Sequence, residues 1–225
     1  MTHTIRPPAA TVRPAHAVRP AARPLLGGAM AAGPLFLVTG VAQGLLRDGY
    51  DFTRNAISQL SLGDLGWIQQ TSFALTGVLI IAGAVGLRQV LDGGPGGAWA
   101  PRLIAVFGAS FLVSAVFSAD PGAGFPAGAA EGPAASLSTS GAVHMLGGMV
   151  GYLALCAAFL VLARRFAVQG RRGWAVVSRI VPVAVLAGFA GSATSVPAFT
   201  AGAALGLLWL TATTARLATA PSTER

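Results

Sequence analysis

Lysine is absent from this chain, and charged residues of every kind make up only 10% of it. A soluble domain carries roughly a quarter charged residues to cover its surface, so a chain this poor in charge cannot face water all round. Hydrophobic residues take 54% and the mean hydropathy is +0.68, which makes lipid the solvent that the composition fits. Cysteine is nearly missing as well. The single Cys156 stands inside an apolar run, which excludes an internal disulfide and a Cys-based zinc site and leaves a small buried hydrophobe. Histidine is scarce too. His3 and His16 fall in the N-terminal arm, so His144 stands alone, short of the ligand set of a metal hydrolase. No cofactor and no metal are expected.

A net charge of +8 with a pI near 11.6 invites a nucleic-acid reading, because clustered Arg neutralises phosphates. The arrangement of the fifteen basic residues, all Arg, argues otherwise. They sit at the ends of apolar runs and form no single stripe, which is a membrane pattern, so nucleic acid is not expected as a partner.

Residues 1–24 repeat Arg-Pro at Arg6, Arg13, Arg19 and Arg23 and hold almost no large apolar residue. Proline removes backbone donors and nothing there builds a core, so a disordered arm is expected. The next apolar run has span length and no clear small-residue cleavage site, so it reads as a retained first helix and not a signal peptide. Six apolar segments follow, at 25–46, 68–91, 102–119, 141–163, 174–195 and 198–216. Each has about the ~20 residues that cross ~30 Å of hydrocarbon. The expected fold is all-α, a polytopic transmembrane bundle of about six spans over 25–217, with a short tail at 218–225.

Orientation follows from the arginines. Thirteen of the fifteen fall on one side of the bundle with Asp92 and Glu224, a net +11. Arg47 and Arg54 fall on the other with Asp48, Asp51, Asp64, Asp120 and Glu131, a net −3. Both termini are therefore expected in the cytoplasm. Arg179, inside the fifth segment, is expected to snorkel to that face. Turning loops are expected at Leu91–Gly97 and Gln169–Gly173, and Trp67, Trp99 and Trp174 near the interfaces. Small residues recur four apart at Gly40 and Gly44, Gly147 and Gly151, Gly202 and Gly206, a spacing that lets helix backbones approach closely.

The polar material concentrates on the outer side. In 47–67 a short interfacial or re-entrant helix is expected, capped by Thr53 or Asp51 and stopped by Gly63 after Leu62. Its Asn55, Ser58 and Gln59 would meet Gln69, Gln70, Thr71 and Ser72 at the mouth of the second span. Asp120 closes the third span, and His144 lies one turn into the fourth. Ionisable groups near hydrocarbon are costly unless paired, and each is the obvious partner of the other across the 121–140 loop. A carboxylate and an imidazole tying two helix ends together need no substrate.

Two functional readings use these residues. In the first, a non-enzymatic module binds a lipid headgroup, a small amphiphile or a membrane-protein partner through Asn55, Ser58, Gln59, Asp120 and His144. In the second, Ser58, His144 and Asp120 act on a lipid by acyl transfer, as nucleophile, base and orienting acid. Ser58 lacks a Gly-x-Ser-x-Gly elbow, which favours the first. Solute transport ranks last, because no ionisable residue falls near a helix midpoint.

The string RNAISQLSLGDLGWIQQ, with Phe-Ser-Ala-Asp-Pro-Gly at 117–122 and Gly-Ala-Val-His at 141–144, resembles a bacterial membrane family catalogued as domain of unknown function 998. The resemblance runs from about residue 28 to 217. It implies a multi-helix membrane protein without an assigned reaction, with Asn55, Ser58, Leu60, Ser61, Asp120 and His144 as signature residues. The Ala-rich, Lys-free composition also resembles translation from a GC-rich bacterial genome, which would make the membrane a plasma membrane.

Overall fold

The computed structural model describes residues 22–91, 95–132 and 136–219. The expected arm up to residue 21, Asp92 to Gly94 of the first turning loop, and the tail from 220 lie outside the described residues. Six helices follow one another: α1 (Ala22–Leu46), α2 (Gly66–Val90), α3 (Trp99–Val116), α4 (Thr139–Val168), α5 (Arg172–Ala190) and α6 (Val196–Ala218). All six are long and apolar enough to cross a membrane, so the expected fold class is the observed one. Each helix packs on the next and α6 returns to α1, which closes a ring. The loops after α1, α3 and α5 gather at one end, the capped end. The loops after α2 and α4 lie at the other, with the chain's two terminal helix ends.

Helix boundaries differ from the hydropathy segments for identifiable reasons. α1 begins at Ala22, three residues inside the expected arm, because Pro24 falls in the first turn, where no N–H is needed. Pro101 does the same for α3, which starts three residues early. That helix also stops early, at Val116, since Phe117 turns extended. α4 starts early because Ser138 is a true N-cap, its hydroxyl accepting from the Gly141 N–H at 3.0 Å. α5 ends at Ala190, and residues 191–195 turn into α6, whose first turn is capped by Ser195.

Inside the ring, Phe36, Phe73 and Phe111 meet with centroids 5.0 to 5.6 Å apart. Phe107 joins Phe111 to Tyr152, and Tyr152 meets Phe189 at 4.8 Å. Outside, Val38, Met145 and Val183 are all more than 60% exposed. Lipid tails are as apolar as leucine, so burial from water does not drive this core; close packing does. The glycine pairs show how. Gly202 of α6 comes against the backbone of α5 at Gly188, a close helix approach. Gly147 and Gly151 seat Val113 and Ser110 of α3, and Gly206 seats Leu155 and Tyr152. Gly40 and Gly44 differ from expectation: in place of another spanning helix they receive the side chains of Ile57 and Phe52 from the α1–α2 connection. Trp67 and Trp99 are exposed as interface residues should be. Trp174 is not, because it stacks on Trp209, whose indole donates to Ser178 Oγ at 3.1 Å.

Candidate functional site

The α1–α2 loop folds back over the capped end. Ile57–Ser61 forms one turn of 3-10 helix packed on α1 and α2, with Leu60 buried. Gly63, at φ +70°, turns the chain away after Leu62, as the sequence suggests. The expected caps do other work. Asp51 closes its own turn, accepting from the Thr53 N–H at 2.8 Å and the Thr53 hydroxyl at 2.7 Å. Those bonds hold the Asp51 carboxyl below its usual pKa. An Asx turn satisfies the carboxylate locally, so the helix begins without it, after Ala56.

Asn55 is the knot of this cap. It is 1% exposed; its amide donates to the carbonyls of Ala123 (3.2 Å) and Gly122 (3.5 Å), and its Oδ1 accepts from the Asp51 N–H (2.9 Å). The Tyr50 hydroxyl donates to the Asn55 carbonyl at 3.0 Å. Tyr50 is also wedged edge-on between Phe52 and Phe125. Burial raises its pKa well above the usual value, and the Asp51 charge adds to the shift. Gln59 accepts from the Ala56 N–H and donates to the carbonyls of Gly122 (3.2 Å) and Asp120 (3.4 Å). The polar residues of the first loop thus bind the backbone of the second. They do not meet the polar mouth of α2, where Gln69 pairs instead with Gln43 (2.7 Å) and Gln70 with Ser118 (3.2 Å).

Nothing in the sequence around Arg47, the first residue past α1, signals the part it plays in the cap. It donates to the carbonyls of Leu60 and Leu62, both at 2.7 Å, and its guanidinium lies 5.0 Å over the Phe125 ring. Partial burial draws its pKa down, against the pull of Asp64. At the rim, Arg54 pairs with Glu131 at 2.9 Å and Asp51 at 3.6 Å.

The expected Asp120–His144 pair does not form; among the described residues no ion pair joins them. The Asp120 carboxylate accepts from the Ser138 N–H (3.0 Å) and hydroxyl (2.5 Å) at the start of α4. His144 Nδ1 lies 2.8 Å from the Phe117 carbonyl. A carbonyl only accepts, so a proton is assigned to Nδ1, and Nε2 is the ring nitrogen left free of that bond. Helix ends explain both outcomes, since each leaves backbone groups without intrahelical partners and these capture the nearest side chain. The signal for Ser138 was there in Ser-Thr-Ser ahead of an apolar run. A Cβ on Gly141 would run into the Asp120 carboxylate, which gives that position its reason to be glycine. Ser58 is half-buried, and its carbonyl accepts from Ser61 Oγ at 2.7 Å. No hydrogen bond among the described residues joins Ser58 to His144.

Residues 30–217 match the family described as protein of unknown function (DUF998). The chain belongs to that family. No curated protein and no solved structure matches it. The DUF998 match starts inside α1 and ends inside α6, so it takes in all six helices and the whole cap. Chemically, this DUF998 cap ties loops together: Asn55, Gln59 and Asp120 engage backbone groups or helix starts. Of the candidate residues, His144 Nε2 and the Ser58 hydroxyl make no hydrogen bond to any of the described residues. Among the described residues, no three His, Cys, Asp or Glu side chains gather to hold a metal ion.

Proposed function

We propose that this integral membrane protein is a non-enzymatic module of the plasma membrane, with both termini in the cytoplasm and a rigid cap on the outer side. The cap is the docking face for a lipid headgroup, an amphiphile or a membrane-protein partner. One observation carries the reading: Asn55 and Gln59 are engaged in holding loop to loop, and Asp120 in holding the start of α4. A catalytic carboxylate must be free to orient a base, and Asp120 is committed to Ser138. The positive-inside excess of Arg supports the orientation.

A hydrolase acting on outer-leaflet lipid is the second reading. It is favoured by His144, whose ring is fixed by the Phe117 carbonyl with Nε2 unpartnered. The two readings separate in one experiment. Purified wild type, Ser58→Ala and His144→Ala are assayed for turnover of lipid esters and amides, and Asn55→Ala is assayed for thermal stability. The module predicts no turnover that depends on Ser58 or His144, and a loss of about 2–3 kcal/mol for Asn55→Ala, which orphans buried backbone partners. Turnover abolished by both substitutions would establish the enzyme.

A further inference from the structure

The acidic residues that the structure describes, Asp48, Asp51, Asp64, Asp120 and Glu131, all stand at the capped end, and both ion pairs among the described residues are there. The other end is the reverse. Arg23, Arg88, Arg102, Arg165, Arg172 and Arg216, one from each of the six helices, lie in the turns that finish there, and among the described residues none of them pairs with a carboxylate. Arg165 differs from the rest. Its Nε and Nη1 are buried and have no hydrogen-bond partner. Arginine stays protonated at any accessible pH, so it cannot escape that cost by losing its charge. Its own helix end offers little, because the carbonyls of Arg165, Phe166 and Ala167 already accept from the N–H groups of Gln169, Arg171 and Gly170.

Arg165 lies one turn of α4 past Val161, and Gly96 of the α2–α3 connection packs so closely there that a Cβ on it would meet Val161 Cγ1. Arg165 therefore stands over the seam between α4 and the start of α3. That start has no side-chain cap and no acidic residue in its first turn, so the positive end of the helix dipole is unanswered. We propose that this seam holds the headgroup of an anionic phospholipid from the leaflet on the uncapped side, its phosphodiester taken by the Arg165 guanidinium. Rotation about the outer torsions of the long side chain presents the planar fork to two phosphate oxygens. The other arginines of that end favour a headgroup without a cation of its own, because choline would meet a ring of like charge. Depth selects a lipid over a soluble anion, since Arg165 is in the last turn of a spanning helix, where headgroup phosphates lie. The site is remote from the cap, so it stands or falls independently of the cap reading.

The test uses full-length protein in detergent, given an equimolar mixture of phosphatidylglycerol and phosphatidylcholine with the same acyl chains. Retained lipid is counted by native mass spectrometry. Phosphatidylglycerol is expected to be retained about ten-fold over phosphatidylcholine, the factor given by about one charge-assisted hydrogen bond. Arg165→Gln is expected to bring the ratio to about two, whereas Arg88→Gln, exposed at the same end, keeps it within about two-fold of wild type. Equal retention of the two lipids by wild type overturns the proposal. So does an equal fall in both variants, which would mean diffuse charge and no site. Millimolar inorganic phosphate leaves the ratio in place; if it strips the phosphatidylglycerol, the site takes a soluble anion and the lipid assignment fails. Should Arg165→Gln not fold, Arg165→Lys decides, because it keeps the charge and loses the fork: a ratio of about five or less supports the site, and an unchanged ratio overturns it.

Discussion

Tyr50 sits where local chemistry has the sharpest consequence. Its hydroxyl donates to the Asn55 carbonyl while its ring is packed between two others, so the folded state favours the neutral phenol. A pKa raised on folding stabilises the protein fully below the unfolded value of about 10, and that contribution is lost as pH climbs toward the folded value. Wild type should therefore exceed Tyr50→Phe by about 1 kcal/mol at pH 8, and the gap should shrink as pH passes about 10. Thermal melts of both proteins from pH 7 to 11.5 measure it; a gap that stays constant contradicts the account. At this scale the sequence revealed which residues matter but not whom they meet. Asn55, Asp120 and His144 stand out because polar groups beside hydrocarbon are costly. Two of their partners, the Phe117 and Ala123 carbonyls, are backbone groups that every residue type carries, and no pattern of letters marks them.

Among the elements, the connection between α1 and α2 shows how a glycine can be a seat. Ile57 and Phe52 drop into notches at Gly40 and Gly44 on α1, and a Cβ at Gly44 would meet the Phe52 ring. Gly44→Ala should cost about 1–3 kcal/mol through overpacking. Gly148→Ala, with nothing within 4 Å, should be neutral or gain up to about 1 kcal/mol from helix propensity. Melting temperatures of the two variants decide, and equal effects would refute the notch. The spacing of these glycines was legible, but their purpose was not. Four-residue spacing marks one face of a helix without saying whether a helix or a side chain fills it. Span existence was read correctly because twenty apolar residues are a strong signal, while ends moved by several residues wherever Pro24, Pro101 or Ser138 set the start.

Taken as a whole, the molecule is a ring of six spans capped at one end, and its sidedness rests on charge. In a Cys156→Ser background, Glu131→Cys on the cap should react with a membrane-impermeant maleimide on intact cells, and Arg171→Cys between α4 and α5 only after lysis. The reverse pattern would invert the topology.

The bonds from Asn55 and Gln59 to residues 120–123 span more than sixty positions of chain. A ribosome delivers the first loop long before its acceptors exist. The α1–α2 hairpin must therefore wait, with a buried-to-be asparagine still wet, until α3 has crossed and residues 120–123 have emerged. Because the chain emerges in order, α5 and α6 are delivered only after the residues that latch the first loop are available, and the contact of α6 with α1 is the last that synthesis permits.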